Sequence, residues 1–254
     1  MSEVLRIRLL QLLVFAVVAG LWEFGAQTGW LDVTWTSSPL LLWQAFWESL
    51  LSGEIVWHAS VTLAEALSGL FFGVLAGVAL GLILSGSRLF GKAMEPYVVA
   101  LNALPRVALA PLIVMFVGVG FMSKFLLSFS LVVVPVMIST YDGIKSTEQI
   151  WINSMKLFRA SRLQIFFKVS LPNCVPWIFS ATRVSISLAI VGAIVGEFIS
   201  ARAGIGYMID HAAGGFNTTG MLMPLFVLMV IAFVLDRVVL LVSRRLMRWR
   251  DHGE

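Results

Sequence analysis

The chain has 254 residues, of which 59% are hydrophobic and 13% charged, far below the roughly 25% charge of a soluble domain. Its mean hydropathy of +0.93 excludes a water-soluble globular fold and identifies an integral membrane protein. A single cysteine, Cys174, excludes an internal disulfide framework, and the net charge of +4 does not point to nucleic acid, because the basic residues gather at the ends of apolar segments.

Apolar stretches predict an all-α membrane protein with six transmembrane helices, over 9–28, 59–85, 96–118, 122–141, 174–200 and 221–243. The first follows Arg6 and Arg8 and imitates a secretory signal peptide. It runs on through Trp22 and Phe24, however, which is long enough to span. No Lys or Arg occurs between Leu9 and Ser87, so the loop holding Asp32, Glu48 and Glu54 is assigned to the outer face. Residues 40–52 are too short to cross and predict an amphipathic helix in the outer interface, with Trp43 and Trp47 at headgroup depth.

In the second span Gly69, Gly73, Gly77 and Gly81 recur every fourth residue, a groove against which another membrane helix can pack closely. After it, "GSRLFGKA" (86–93) has the spacing of a phosphate-binding loop up to Lys92. Ala93 stands where the magnesium-binding hydroxyl belongs and a membrane helix precedes it, so the match is a coincidence. The "NTT" at Asn217 fits a glycosylation sequon but is too short to carry weight. Arg88 and Lys92, then Lys145, Lys156, Arg159, Arg162 and Lys168, then Arg244, Arg245, Arg248 and Arg250 alternate with outer loops. They mark the cytoplasm and place both termini there.

Glu65, Arg106 and Arg183 are ionisable and fall inside spans. Each must face a cavity or a partner. Arg106 lies between Pro105 and Pro111, where the helix must be interrupted. Either Arg106 or Arg183 lines a translocation path and offers charge-assisted hydrogen bonds to an anionic group, or the charge is absorbed internally, for example by Arg183 pairing with Glu65 or Glu197, or by snorkelling. Arg237 beside Asp236 reads as structural. Cys174, near Pro172 and Pro176, reads as a packed helix end. The histidines, His58, His211 and His252, fall in predicted loops and the tail with no partner at ligand spacing, which argues against an intramembrane enzyme.

Between the fourth and fifth spans lies a patterned segment, 146–172. Trp151, Met155 and Phe158 recur at helical spacing beside polar Asn153, Ser154 and Lys156. Ser161 followed by Gln164 has the form of a capping box opening a second helix that runs to Leu171 and Pro172. Two short helices meeting near Arg159, Ala160 and Ser161 predict an L-shaped knob. The alternative is a loop lying on anionic headgroups.

The order of these features resembles the permease subunits of binding-protein-dependent ATP-binding-cassette (ABC) importers of the type I, MetI-like family, in the branch handling nitrate, taurine, alkanesulfonates and pyrimidine precursors of thiamine. "SSP" at 37–39, "HASVTLAEALSGLFFGVLAGVALGLILSGS" from His58, "EPYVVALNALPRVALAPLIVMFVGVG" from Glu95 and "VGEFISARAGIGYMI" from Val195 follow the family order. The resemblance implies a coupling helix between spans four and five, docking on an ATPase through Asn153, Ser154, Met155, Phe158, Arg159, Ala160 and Ser161. Anchored on Leu171 and Pro172, that loop has Asn153, Ser154 and Met155 in place of Glu-Ala-Ala and Arg159 in place of glycine. A left-handed turn at Arg159 costs roughly 1 kcal/mol relative to glycine. Either the turn differs, or Arg159 faces an acidic patch on the ATPase.

The resemblance further implies a non-enzymatic subunit of the bacterial inner membrane that binds no cofactor. ATP and magnesium belong to two cytoplasmic ABC ATPase subunits; a second permease copy or paralogue and an extracytoplasmic substrate-binding protein complete the assembly. The chain divides into an N-terminal part (1–57), a permease core (58–245) containing the coupling segment, and a tail (246–254). The rivals are an ion-coupled secondary transporter, for which no internal repeat is found, and an intramembrane enzyme.

Overall fold

A computed structural model of the chain describes residues 3–247, so the tail beyond residue 247, with Arg248, Arg250 and His252, lies outside it. All regular structure among the described residues is helical. Helix α1 (Glu3–Gln27) leads through a single turn, α2 (Val33–Thr36), to α3 (Pro39–Leu51) and the long α4 (Glu54–Ser85). Local chemistry sets these joints. Ser38 accepts a hydrogen bond from Leu41 N, and Pro39 opens α3 where its missing N–H costs nothing. Gly53, at φ +79°, makes the turn into α4.

The third apolar stretch forms two helices, α5 (Arg88–Ala103) and α6 (Ala110–Val117), joined by a 3-10 turn over 106–109 and bent by 73°. Pro105 supplies no N–H and holds Leu104 in an extended conformation, so the α-helix cannot continue. Next come α7 (Phe121–Lys145), α8 (Gln149–Leu157), one turn of α9 (Arg162–Ile165), a π-helical stretch over 166–170 and α10 (Leu171–Ser200). The chain closes with α11 (Ile205–Gly214) and α12 (Thr218–Leu246). The π stretch directly precedes Pro172, whose ring would collide with the carbonyl four residues back in a regular helix; Leu171 N bonds instead to Phe166 O. Among the described residues five helices, or six spans if α5 and α6 count as one broken span, are long and apolar enough to cross a membrane.

The core is a triangle of α4, α7 and α10. A Cβ on Gly73 would come within 2.8 Å of Val132 Cβ, on Gly77 within 2.7 Å of Val133 O, and on Gly81 within 2.6 Å of Thr140 Cβ. Gly69 meets Ser128 in the same way, and a Cβ on Gly192 of α10 would come within 2.6 Å of Ser128 Cα. Three backbones therefore cross closely at Ser128, whose hydroxyl donates to Ala189 O at 2.9 Å. Val132, Val136, Ala189 and Ala193 fill the centre of the triangle, and α12 packs on α10, with Leu228 and Leu235 in the same core. Cys174 is fully buried, with Sγ 3.3 Å from Thr140 O.

Candidate functional site

Three polar features stand out in this apolar bundle, one at each end and one midway. At the α11 end, a single face of α4 carries His58, Thr62 and Glu65. Thr62 Oγ1 donates to Glu197 Oε1 at 2.7 Å and accepts from Ile205 N at 2.7 Å. Gly204 N donates to His58 Nδ1 at 2.9 Å, and Gly206 N donates to the second oxygen of Glu197. Glu197 thus caps the N-terminus of α11, where the helix presents unpaired N–H groups and a positive dipole end. The turn leaves no room for side chains: Gly204 sits at φ +116° against the Glu197 carboxylate, and a Cβ on Gly206 would lie 2.7 Å from Glu197 Oε2. Lys124, 3% exposed, donates to Ser200 O at 2.8 Å, and Glu65 Oε2 is buried without a hydrogen-bond partner. The cluster ties α4, α7, α10 and α11 into one joint. His58 and His211, expected in loops, are both helical. His58 stacks on Tyr207, with ring centroids 5.8 Å apart. A hollow of about 460 Å³ between α3, α11 and α12 is lined by Glu48, Glu54, Tyr207 and His211. Its two carboxylates make it a poor seat for an anion.

Midway lie the two arginines. Cys174 is level with Thr140 and Ala189 with Ser128, so Arg183, between them on α10, lies near the middle of α7's length. Its partner is Asp236 of α12, in place of the Glu65 or Glu197 expected from the sequence: Nε donates to Oδ1 at 2.8 Å and Nη2 to Oδ2 at 3.0 Å. The reason is depth. Glu197 lies fourteen residues further along α10, about 21 Å away at the helical rise, and is engaged in the α11 joint. Arg237 extends over the Phe233 ring, 4.7 Å from its centroid.

Arg106 reaches the same depth from the break between α5 and α6. Nη1 donates to Ser130 O at 3.1 Å and Leu131 O at 3.4 Å; Nη2 donates to Leu101 O at 3.3 Å and Asn102 Oδ1 at 3.2 Å. Two of these carbonyls are orphans. Leu101 O would bond to the N–H of residue 105 and Leu131 O to that of residue 135, but both positions are proline. The guanidinium supplies the missing donors, yet no carboxylate neutralises it among the described residues.

At the other end, α8 turns into α9 through a complete helix-ending motif. Ala160 N donates to Met155 O at 3.0 Å and Arg159 N to Lys156 O at 2.9 Å, with Arg159 left-handed at φ +56°. The left-handed turn is therefore made despite the missing glycine. Ser161 and Gln164 form a capping box, with Gln164 Oε1 accepting from Ser161 N at 2.8 Å and Ser161 Oγ from Gln164 N at 3.2 Å. Trp151, Leu157, Phe158 and Leu163 are all exposed, Leu157 and Phe158 by 85% and 84%. Asn153 accepts from Gln149 Nε2 at 3.0 Å, and Ser154 bonds back to Ile150 O at 2.9 Å. Asn173 ties the start of α10 to the end of α7 through Gly143 O at 3.2 Å.

The corner residues 153–161 and the helix break at Arg106 are both legible in the sequence, and the α11 joint is not. The available signal was Lys124 within an apolar run, together with two acids inside spans.

Residues 69–248 match the family described as "Binding-protein-dependent transport system inner membrane component". A chain of Haemophilus influenzae (strain Rd), named "Probable ABC transporter permease protein", is 35% identical over 91% of this chain and 94% of its own. The riboflavin transport system permease protein RibX of Chloroflexus aurantiacus is 33% identical over 96% of this chain and 89% of its own. Among solved structures, an inward-facing MetNI methionine ABC transporter shares the fold, at a TM-score of 0.64 and 19% identity over 78% of this chain and 96% of its own. The chain belongs to this family: it is a non-enzymatic, multi-pass permease subunit of an ABC importer.

Proposed function

We propose that this permease forms, with a second copy of itself, the path by which a small anionic solute crosses the membrane. An extracytoplasmic binding protein delivers the solute, and two ATPase subunits, which hold the ATP and magnesium, drive the cycle. The α8 end and both termini face the cytoplasm, in keeping with the clustering of Lys and Arg at that end. The exposed corner between α8 and α9 docks on the ATPase, and the Ser128 crossing passes the movement to the bundle.

The observation that carries the anionic reading is Arg106. A guanidinium held at mid-depth with no carboxylate partner creates a positive potential in a medium of low dielectric, where it attracts a nitrate, sulfonate or carboxylate strongly. Arg183 offers no such charge, because Asp236 neutralises it. Asn102, on the same guanidinium, adds a neutral polar group at the break.

The test is ATP-driven uptake into proteoliposomes holding the complete transporter, against a panel of nitrate, alkanesulfonates, taurine, aromatic acids, pyrimidines and riboflavin. Uptake of an anionic member is expected. Arg106→Gln, which keeps a donor and drops the charge, should cut it at least tenfold, while Arg106→Lys retains more of it. Uptake confined to uncharged solutes would overturn the anionic reading. An active transporter purified without any ATPase would overturn the importer itself.

A further inference from the structure

We infer that the ATPase surface meeting the α8–α9 corner is an apolar cleft with an acidic rim. The inference rests on the docking proposed above and names the chemistry of that partner. Segment 146–172 carries Lys156, Arg159, Arg162 and Lys168 against one acid, Glu148. All four cations are exposed and none forms an ion pair within 4 Å among the described residues. Lys156, Arg159 and Arg162 flank the exposed Leu157, Phe158 and Leu163 along the chain, and Lys168 follows. Asn153, the position from which an acid could have answered a basic partner, is neutral and bonded to Gln149.

Cations around an apolar tip suit a partner with carboxylates around an apolar depression: burial of the tip supplies affinity, and the rim sets register and association rate. The left-handed turn places Arg159 at the apex beside Phe158, where a planar guanidinium can take a carboxylate through two parallel hydrogen bonds. Anionic lipid is the competing counter-surface, and the geometry disfavours it. Arg162 starts α9 twelve residues before Cys174, which is level with Thr140, five residues short of the end of α7. At the helical rise the corner stands about 10 Å beyond the end of α7, projecting away from the bundle.

The test uses the assembled transporter. Retention of the ATPase on immobilised permease is measured in detergent as salt is raised, and coupled uptake is measured in vesicles with and without phosphatidylglycerol. Arg159→Gly keeps the turn and removes the charge, so it is a safe variant for folding. It should weaken retention about tenfold and flatten the salt dependence. Arg159→Glu should weaken retention further and be rescued by an acid-to-lysine change at the rim of the ATPase cleft. If both variants hold the ATPase normally at every salt concentration while Phe158→Asp releases it, the charge inference falls and the docking proposal stands. If Phe158→Asp also leaves retention unchanged, both fall. If the arginine variants alter uptake only in vesicles containing phosphatidylglycerol, with retention unchanged, the basic rim is a lipid contact and the inference is overturned.

Discussion

Arg106 and Arg183 lie at about the same depth of the bundle, both inside apolar runs, and the structure treats them in opposite ways. Arg183 meets Asp236 in a two-point contact, so the pair is neutral and ties α10 to α12. Arg106 meets four uncharged acceptors, two of them carbonyls stranded by prolines, so its hydrogen bonds are filled while its charge is not. Satisfying donors and satisfying charge are separate requirements, and a half-buried arginine can meet the first without the second. One arginine is therefore spent on cohesion, and the other retains a field that can act on a solute.

The comparison can be broken most directly at Arg183. Arg183→Ala leaves Asp236 charged without its two-point partner, and should give the largest drop in unfolding midpoint in detergent. Replacing Asp236 by Ala in the same chain should recover most of that loss. If the double variant is no better than the single one, the pair is not the source of the cost. Arg106→Ala comes next: stranding the Leu101 and Leu131 carbonyls should cost about 1–3 kcal/mol. Arg106→Gln should lose less stability but as much transport, and equal loss of both properties would erase the distinction drawn above. A third arginine, Arg159, has the opposite sign. Arg159→Gly should stabilise the fold by roughly 1 kcal/mol, read as a higher midpoint, because glycine occupies the left-handed region freely. Smallest is Arg237→Leu, which removes a cation over the Phe233 ring and should cost under about 1 kcal/mol. A loss matching that of Arg183→Ala would show that Arg237, too, carries part of the charge balance around Asp236.

What was legible in the sequence was local. The spans follow from runs of apolar residues, the break at Arg106 from flanking prolines, and the corner from helical spacing plus Ser161 and Gln164, all within a few residues of one another. Partners set by packing were not legible. Thr62 meets Glu197 across 135 residues and Gly204 meets His58 across 146, and no periodicity in α4 announces α11. The internal pairing open to Arg183 is met by Asp236 rather than by Glu65 or Glu197 for the same reason: its partner depends on which helix lies beside α10. The charge of Lys124 and the paired glycines at 204 and 206 mark such a place, but they do not say what is held there.

The π-helical stretch at 166–170 has a consequence for aim. Such a stretch amounts to one extra residue threaded into an α-helix, and each residue turns the helix by about 100°. Arg159, Phe158 and Arg162 are therefore clocked around the long axis of α10 by that one residue, independently of the spans above it. Deleting Val169 to restore a regular helix would leave the membrane bundle and the capping box intact, yet swing the knob through more than a quarter turn. The part would keep its shape and lose its bearing, like a key cut correctly and held sideways to the lock.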